Sequence, residues 1–252
     1  MRRLWVWVLL LAAPALALTG DEVLKRVEAR PTPKTFHGKM AMELISKQGK
    51  KLTRELELWS KKEGDAEKML IKFLAPPDVR GTAFLFLKQG DREEMKLYLP
   101  ALKKVRRIAG GQKKGSFMGS DFSYDDIARL GSLKAEDFTS TLKEVEEQDG
   151  VKVYVVEAVP KPGVEHSYDK EVIWVRGDVF VPIRIEFYQK GKLYKVMTLE
   201  KIEGFAGGKY QIPTRLVMEN VRTKHKTVLV QKDLELDRPI PDSVFTERFM
   251  KR

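Results

Sequence analysis

The chain has 252 residues, 42% hydrophobic and 33% charged, enough to bury one sizeable core in one domain. Lys and Arg number 47 against 36 Asp and Glu, a formal charge of +11 that favours acidic partners such as anionic lipid headgroups. There is no cysteine, which excludes a disulfide scaffold.

In chain order, Met1-Arg2-Arg3 is a charged head, Leu4 to Ala13 an apolar run, and Pro14-Ala15-Leu16-Ala17 a breaker followed by an A-x-A cleavage site. That order predicts a secretory signal peptide over residues 1–17, since the apolar run is shorter than the roughly 20 residues of a spanning helix. The expected mature domain, residues 18–252, keeps a surplus of about +9 once Arg2 and Arg3 are gone, and has no cysteine to receive a lipid. A soluble periplasmic monomer is expected. Export disfavours nucleic acid as the acidic partner, and the aromatic residues do not interleave with the basic ones as a base-stacking platform requires.

Thr19-Gly20-Asp21-Glu22 reads as a capping box, with Leu18 positioned to staple onto Val23. A helix follows with Val23, Leu24 and Val27 on one side, ended by Pro31 and Pro33. After Lys34 the period switches to two. Met40, Met42 and Leu44 alternate with Lys39 and Glu43, then Leu52, Leu56 and Leu58 with Glu55 and Glu57. Met69, Ile71 and Phe73 alternate with Lys68 and Lys72, and Pro76-Pro77 precedes a strand over 82–87 that includes Phe84 and Phe86. That last strand is apolar on both faces and must be covered on both; the first helix and the 117–127 segment are the expected covers.

Residues 97–126 stand apart. Leu97-Tyr98-Leu99 ends a strand at Pro100, and then Lys103, Lys104, Arg106, Arg107, Lys113 and Lys114 follow with no acidic residue among them. Phe117, Met118, Phe122 and Tyr124 come next, mixed with Asp121, Asp125 and Asp126. This is either a solvated basic hairpin followed by a short packed helix or a docking surface. Beyond it, turns at 149–150, 177–178, 190–191 and 207–208 separate strands over 151–159, 171–175, 183–188, 194–202, 216–221 and 227–236. The expected fold is mainly β: a curved antiparallel sheet of about eleven strands in meander order, with a concave face created by accumulated twist.

YLPALKKVRRI followed by GSFMGSDFSYDDI resembles the signature of periplasmic outer-membrane lipoprotein-sorting proteins, the LolA/LolB-like superfamily. Gly81-Thr82-Ala83-Phe84-Leu85 ahead of it, and IRIEFYQKGKLYKV, IPTRLVMENV and IPDSVFTERF behind, extend the likeness over nearly the whole mature chain. Lys96 departs from the pattern, where an aromatic residue is expected before Tyr-Leu-Pro. The resemblance implies an unclosed half-barrel with short helices covering its concave face. It also implies a cavity for acyl chains of lipoproteins or lipid.

No catalytic set, metal site or cofactor is expected. His37, His166 and His225 are far apart and in no metal-binding spacing, and no G-x-S-x-G occurs. GGQKKGS lacks the lysine that should follow the second glycine of a phosphate loop. Adjacent carboxylates such as Asp125-Asp126 diverge on a helix or strand. A hydrolase requires two of the three histidines to meet beside a carboxylate. The expected ligand-lining residues are therefore the apolar ones: Met40, Met42, Leu44, Leu56, Leu58, Met69, Ile71, Phe73, Phe84, Phe86, Phe117 and Met118. Methionine-rich surfaces adapt to chains of variable length, although a packed core uses the same residues. The six basic residues from Lys103 to Lys114 are the expected contact with an anionic membrane surface or with a membrane transporter or acceptor. Two functions fit: a non-enzymatic carrier of acyl chains between envelope membranes, or a periplasmic accessory module of an RND/MMPL-type hydrophobe exporter.

Overall fold

In the computed structural model the described residues are 18–252, so the expected signal peptide lies outside them. The described residues open on the capping box: Thr19 N–H donates to Glu22 Oε2 at 2.7 Å and Glu22 N–H to Thr19 Oγ1 at 3.2 Å. Helix α1 (Gly20–Glu28) follows, with Leu18 partly buried against the apolar cluster to which Val23 belongs. A Cβ on Gly20 would lie 2.8 Å from the backbone of residues 141 and 142, so glycine permits the helix to start directly against a strand.

The strands are β1 (Thr35–Ile45), β2 (Lys51–Glu63), β3 (Ala66–Ala75), β4 (Ala83–Gln89), β5 (Arg92–Leu99) and β6 (Lys104–Ile108). After the short helix α2 (Tyr124–Ala128) come β7 (Phe138–Gln148), β8 (Val151–Pro160), β9 (Lys170–Arg176), β10 (Val181–Gln189), β11 (Lys192–Phe205), β12 (Tyr210–Asn220) and β13 (His225–Leu236), then helix α3 (Glu247–Met250). All pair antiparallel in one 13-stranded sheet of order β6-β5-β4-β3-β2-β1-β13-β12-β11-β10-β9-β8-β7. The expected single meander in sequence order is thus two meanders, joined along a central seam where Met42 pairs with Leu229.

The expected eleven strands become thirteen. The two that sequence reading misses, β6 and β7, are the two edges of the sheet. An edge strand pairs on one side only and is protected from further pairing by charge. Four of the eleven β7 residues are Lys143, Glu144, Glu146 and Glu147, and β6 is KVRRI, so neither has the apolar alternation of an interior strand.

The connection between the edges, residues 109–137, crosses the concave face. Tyr124 packs against Phe84 of β4, ring centroids 5.5 Å apart, and Asp126 pairs with Lys195 of β11 at 3.0 Å. Those strands are six intervals apart, about 29 Å on a flat sheet. The sheet is curled around the crossover, an unclosed half-barrel. α1 covers the same concave side at the far wing, seating Val23, Leu24 and Val27 on Phe138, Val156, Ala158, Ile173 and Val175. Each of these three apolar side chains contributes about 1.5–3 kcal/mol of transfer free energy.

β4 is covered on both faces as its composition requires, but the second cover is not α1. Leu70, Ala83 and Leu85 on the convex side pack under Ile240, Val244, Phe245 and Met250 from the C-terminal segment. Lys96, where an aromatic was expected, lies on that side of β5 and pairs with Glu94 and with Glu247 of α3, each at 3.0 Å. An ion pair fixes α3 where a ring would otherwise pack.

Candidate functional site

Strand alternation directs Met40, Met42, Leu44, Leu56, Ile71, Phe73, Phe84 and Phe86 to the concave side, where all are buried in one cluster with Phe117 of the crossover. Leu58, Met69 and Met118 pack against it and are partly buried. The twelve residues expected to line a ligand site are therefore brought together. The sequence reading assigned the surface to the first wing and missed the second: Phe187, Met197, Leu216, Met218 and Leu229 continue it across β10 to β13. In this conformation the crossover fills the concavity. Phe117 and Phe122 are fully buried, and Phe117 sits 5.8 Å from Phe73, 5.5 Å from Phe84 and 5.5 Å from Tyr124.

Polar contacts hold the crossover down at three strands. Arg54 of β2 donates to the Met118 carbonyl. At β13, Asp121 N–H donates to Thr227 Oγ1 at 2.9 Å, and the Asp121 carboxylate accepts from Thr227 Oγ1 at 2.7 Å and meets His225 Nδ1 at 2.6 Å. At β11, Asp126 binds Lys195 at 3.0 Å, both nearly buried, and accepts from the Tyr168 hydroxyl at 2.8 Å. A second capping box starts α2, with Ser123 N–H donating to Asp126 Oδ2 at 2.7 Å and Asp126 N–H to Ser123 Oγ at 3.0 Å. Asp125 accepts from Ser167 Oγ at 2.7 Å and Arg129 Nε at 2.9 Å.

Beside this network lies Glu171, whose carboxyl is pushed up to about 8 by burial and then by the neighbouring Asp126 charge. It is protonated at neutral pH. Its Oε1 is 3.3 Å from Nε2 of His166, an imidazole that burial and then Arg129 hold below its ordinary pKa. His166 Nδ1 lies 3.2 Å from both the N–H and the carbonyl of Tyr168. Asp125 and Asp126, dismissed as neighbours in sequence, thus belong to a buried polar network. Its signal in the sequence is a charge at an inward strand position: Arg54 before Leu56, Glu171 before Ile173, Lys195 before Met197.

The basic block lies on and beside the β6 edge. Lys103, Lys104, Arg106, Arg107 and Lys114 are exposed and in no ion pair among the described residues. Lys113 differs: it is drawn inward between Glu93 at 3.3 Å and Glu165 at 3.5 Å. The three histidines do not converge. His37 lies between Glu57 and Glu235, His166 beside Glu171, and His225 on Asp121. Among the described residues no three His, Asp or Glu side chains gather as a metal site, and no helix is long and apolar enough to cross a membrane.

A family model described as an uncharacterized protein matches residues 65–252. No curated protein matches the chain. Among solved structures, a DUF1329 family protein from Desulfovibrio piger is 31% identical with a TM-score of 0.85, the alignment covering 92% of this chain and 97% of that one. A domain named as an outer membrane lipoprotein-sorting protein, from Vibrio parahaemolyticus, is 32% identical with a TM-score of 0.83, covering 92% and 98%. A LolA superfamily protein from Nitrosomonas europaea shares the fold at 24% identity and a TM-score of 0.71, covering 92% and 100%. With two full-length relatives above 30% identity, the chain belongs to the family of the DUF1329 protein and of the domain named for outer-membrane lipoprotein sorting, and its half-barrel with a crossover cover is the fold of the LolA superfamily protein.

Proposed function

We propose that the protein is an exported, non-enzymatic carrier that takes acyl chains of lipoproteins or lipid onto its concave face and moves them between envelope membranes. The observation that carries this reading is one continuous apolar surface, spanning β1 to β5 and β10 to β13, closed by a single connection. In the closed conformation that connection occupies the concavity, so loading requires it to lift. A sixteen-carbon chain represents on the order of 12 kcal/mol of transfer from water at about 0.8 kcal/mol per CH₂. Only a surface as apolar as this one can take up such a chain from a membrane. No nucleotide-binding motif is present in the sequence, so net work of extraction falls to a partner, and the exposed cations from Lys103 to Lys114 are the surface offered to it or to an anionic membrane.

Titration with a fluorescent fatty acid tests the reading, together with mass spectrometry of the protein purified gently from its own envelope. Saturable binding and co-purified lipid are expected. Met42→Gln, at a fully buried position of the concave face, should weaken binding at least tenfold and lower urea stability by roughly 1–3 kcal/mol. Unchanged binding in Met42→Gln despite lost stability would remove the concave face from the ligand site. The exposed basic edge also favours a second reading, an accessory module docked on an RND/MMPL-type hydrophobe exporter, in which no lipid co-purifies.

A further inference from the structure

Arg54 is 8% exposed on the concave side of β2, opposite Met42 of β1, with its guanidinium 5.9 Å from the Phe73 ring centroid. One terminal nitrogen donates to the Met118 carbonyl, while Nε, buried, meets no acceptor in the protein. No carboxylate is within ion-pair distance of it among the described residues; Asp78, the acidic group that most favours its charge, acts from farther away. Lys195, the other buried cation of this face, has Asp126. Buried charges are as a rule paired, because an unpaired one is costly to desolvate. A guanidinium carries five donors in a fork suited to a carboxylate or phosphate, and here a neutral carbonyl takes one of them.

The partner that Arg54 does have belongs to the cover. Lifting residues 115–130 removes the Met118 carbonyl and at the same time bares Met42 and Phe73 beside the guanidinium. Apolar surface and an uncompensated cation then adjoin. The cover itself has the matching chemistry, buried rings of Phe117, Phe122 and Tyr124 alternating with the carboxylates of Asp121, Asp125 and Asp126.

We propose that Arg54 anchors the head of the cargo, and that the cavity selects an anionic amphiphile, an acyl chain carrying a carboxylate or a phosphate, over a neutral one. This rests on the carrier reading above. A neutral head leaves the guanidinium buried under hydrocarbon with its charge uncompensated, whereas an anionic head replaces the Met118 carbonyl with charge-assisted hydrogen bonds, roughly twice as strong as neutral ones.

The full mature chain is titrated at pH 8 by displacement of a neutral fluorescent acyl probe, with two matched pairs of competitors below their micellar concentrations: oleate against oleyl alcohol, and oleoyl lysophosphatidate against monoolein. Each anion is expected to displace at a concentration tenfold to a hundredfold lower than its neutral match, and the stronger anion identifies the head as carboxylate or phosphate. Arg54→Met, an apolar side chain of comparable reach, should abolish the preference; Arg54→Lys should restore part of it. Melting curves accompany both variants. Equal displacement by anion and neutral match in the wild type overturns the inference, as does a preference that persists in folded Arg54→Met. If no amphiphile displaces or binds, the carrier reading itself fails and this inference with it.

Discussion

Asp126 is the residue through which the cover is most tightly held, and Asp126→Asn isolates its charge. The wild-type carboxylate accepts from Ser123 N–H at 2.7 Å, from the Tyr168 hydroxyl at 2.8 and 3.0 Å, and from Lys195 Nζ at 3.0 Å. Asp126 and Lys195 side chains are only 7% and 6% exposed. The amide keeps the size and shape and leaves the Lys195 ammonium buried without a counter-ion. Breaking a buried pair in this way costs roughly 3–5 kcal/mol. The loss falls on local opening of the cover, because the sheet contacts elsewhere are untouched. Amide hydrogen exchange across residues 115–130 should therefore accelerate by roughly a hundredfold to several thousandfold, at 1.36 kcal/mol per decade. Adding Lys195→Met removes the stranded charge and continues the apolar row of Met197 and Leu199, so the double variant should return to within about 1 kcal/mol of wild type. The reasoning is refuted if exchange in Asp126→Asn stays within about threefold of wild type, or if the double variant opens as readily as the single one.

Glu171 makes stability depend on pH. Its folded carboxyl keeps its proton up to about pH 8, whereas in the unfolded chain it ionises near 4.3. Between those values the folded state binds the extra proton, so stability falls as pH rises, by on the order of 1 kcal/mol per unit, and levels off above pH 8. Urea melts from pH 5 to 8 should show this slope in wild type and its loss in Glu171→Gln; parallel curves would exclude Glu171 as the source. Charge reversal to Glu at Lys103, Lys104, Arg106 and Arg107 should weaken binding to anionic vesicles at least tenfold while the melting temperature moves by no more than about 4 °C, since exposed charges contribute little to folding. A sharp drop in melting temperature with binding unchanged would make the block structural. Intact-mass measurement of the exported form should give a chain beginning at Leu18; a membrane-bound form retaining Met1 to Ala17 would indicate an anchor.

The interior of the sheet was legible because burial on one face writes a period of two into the chain: Met40-Met42-Leu44 and Met69-Ile71-Phe73 are found on the side that their alternation implies. The edges were not, because β6 and β7 have nothing to bury on their outer sides and carry charge instead. Nor was the convex cover of β4, since Ile240 to Met250 is 155 or more residues from Leu85 and its apolar spacing is too short to register. The polar contacts that tie the cover to the rest of the chain join residues 36 to 106 apart in sequence, as in Arg129 with Glu165 and Thr227 with Asp121, a pairing that no local window contains. What the sequence does hold is the breaks in alternation at Arg54, Glu171 and Lys195. An inward charge in an apolar row has to be answered from elsewhere, and the answers lie mostly in the crossover and the 165–168 loop.

The central seam governs the order in which this protein can assemble. Every other strand pairing joins neighbours in sequence, at the low loop-closure cost of short connections, but β1 meets β13 across 187 residues, as Met42 with Leu229. A chain emerging amino end first presents β1 to β6 long before β13 is available. Two half-sheets therefore form early and fast from local contacts, each with one bare inner edge, and their union is the slow, non-local event. Until that union the apolar rows of β1 to β5 face water and β1 remains an unpaired template for another strand. The interval between emergence of β1 and arrival of β13 is when this chain depends most on a holding chaperone. A truncation just before His225 should extend that interval indefinitely, yielding aggregation in place of a smaller folded sheet.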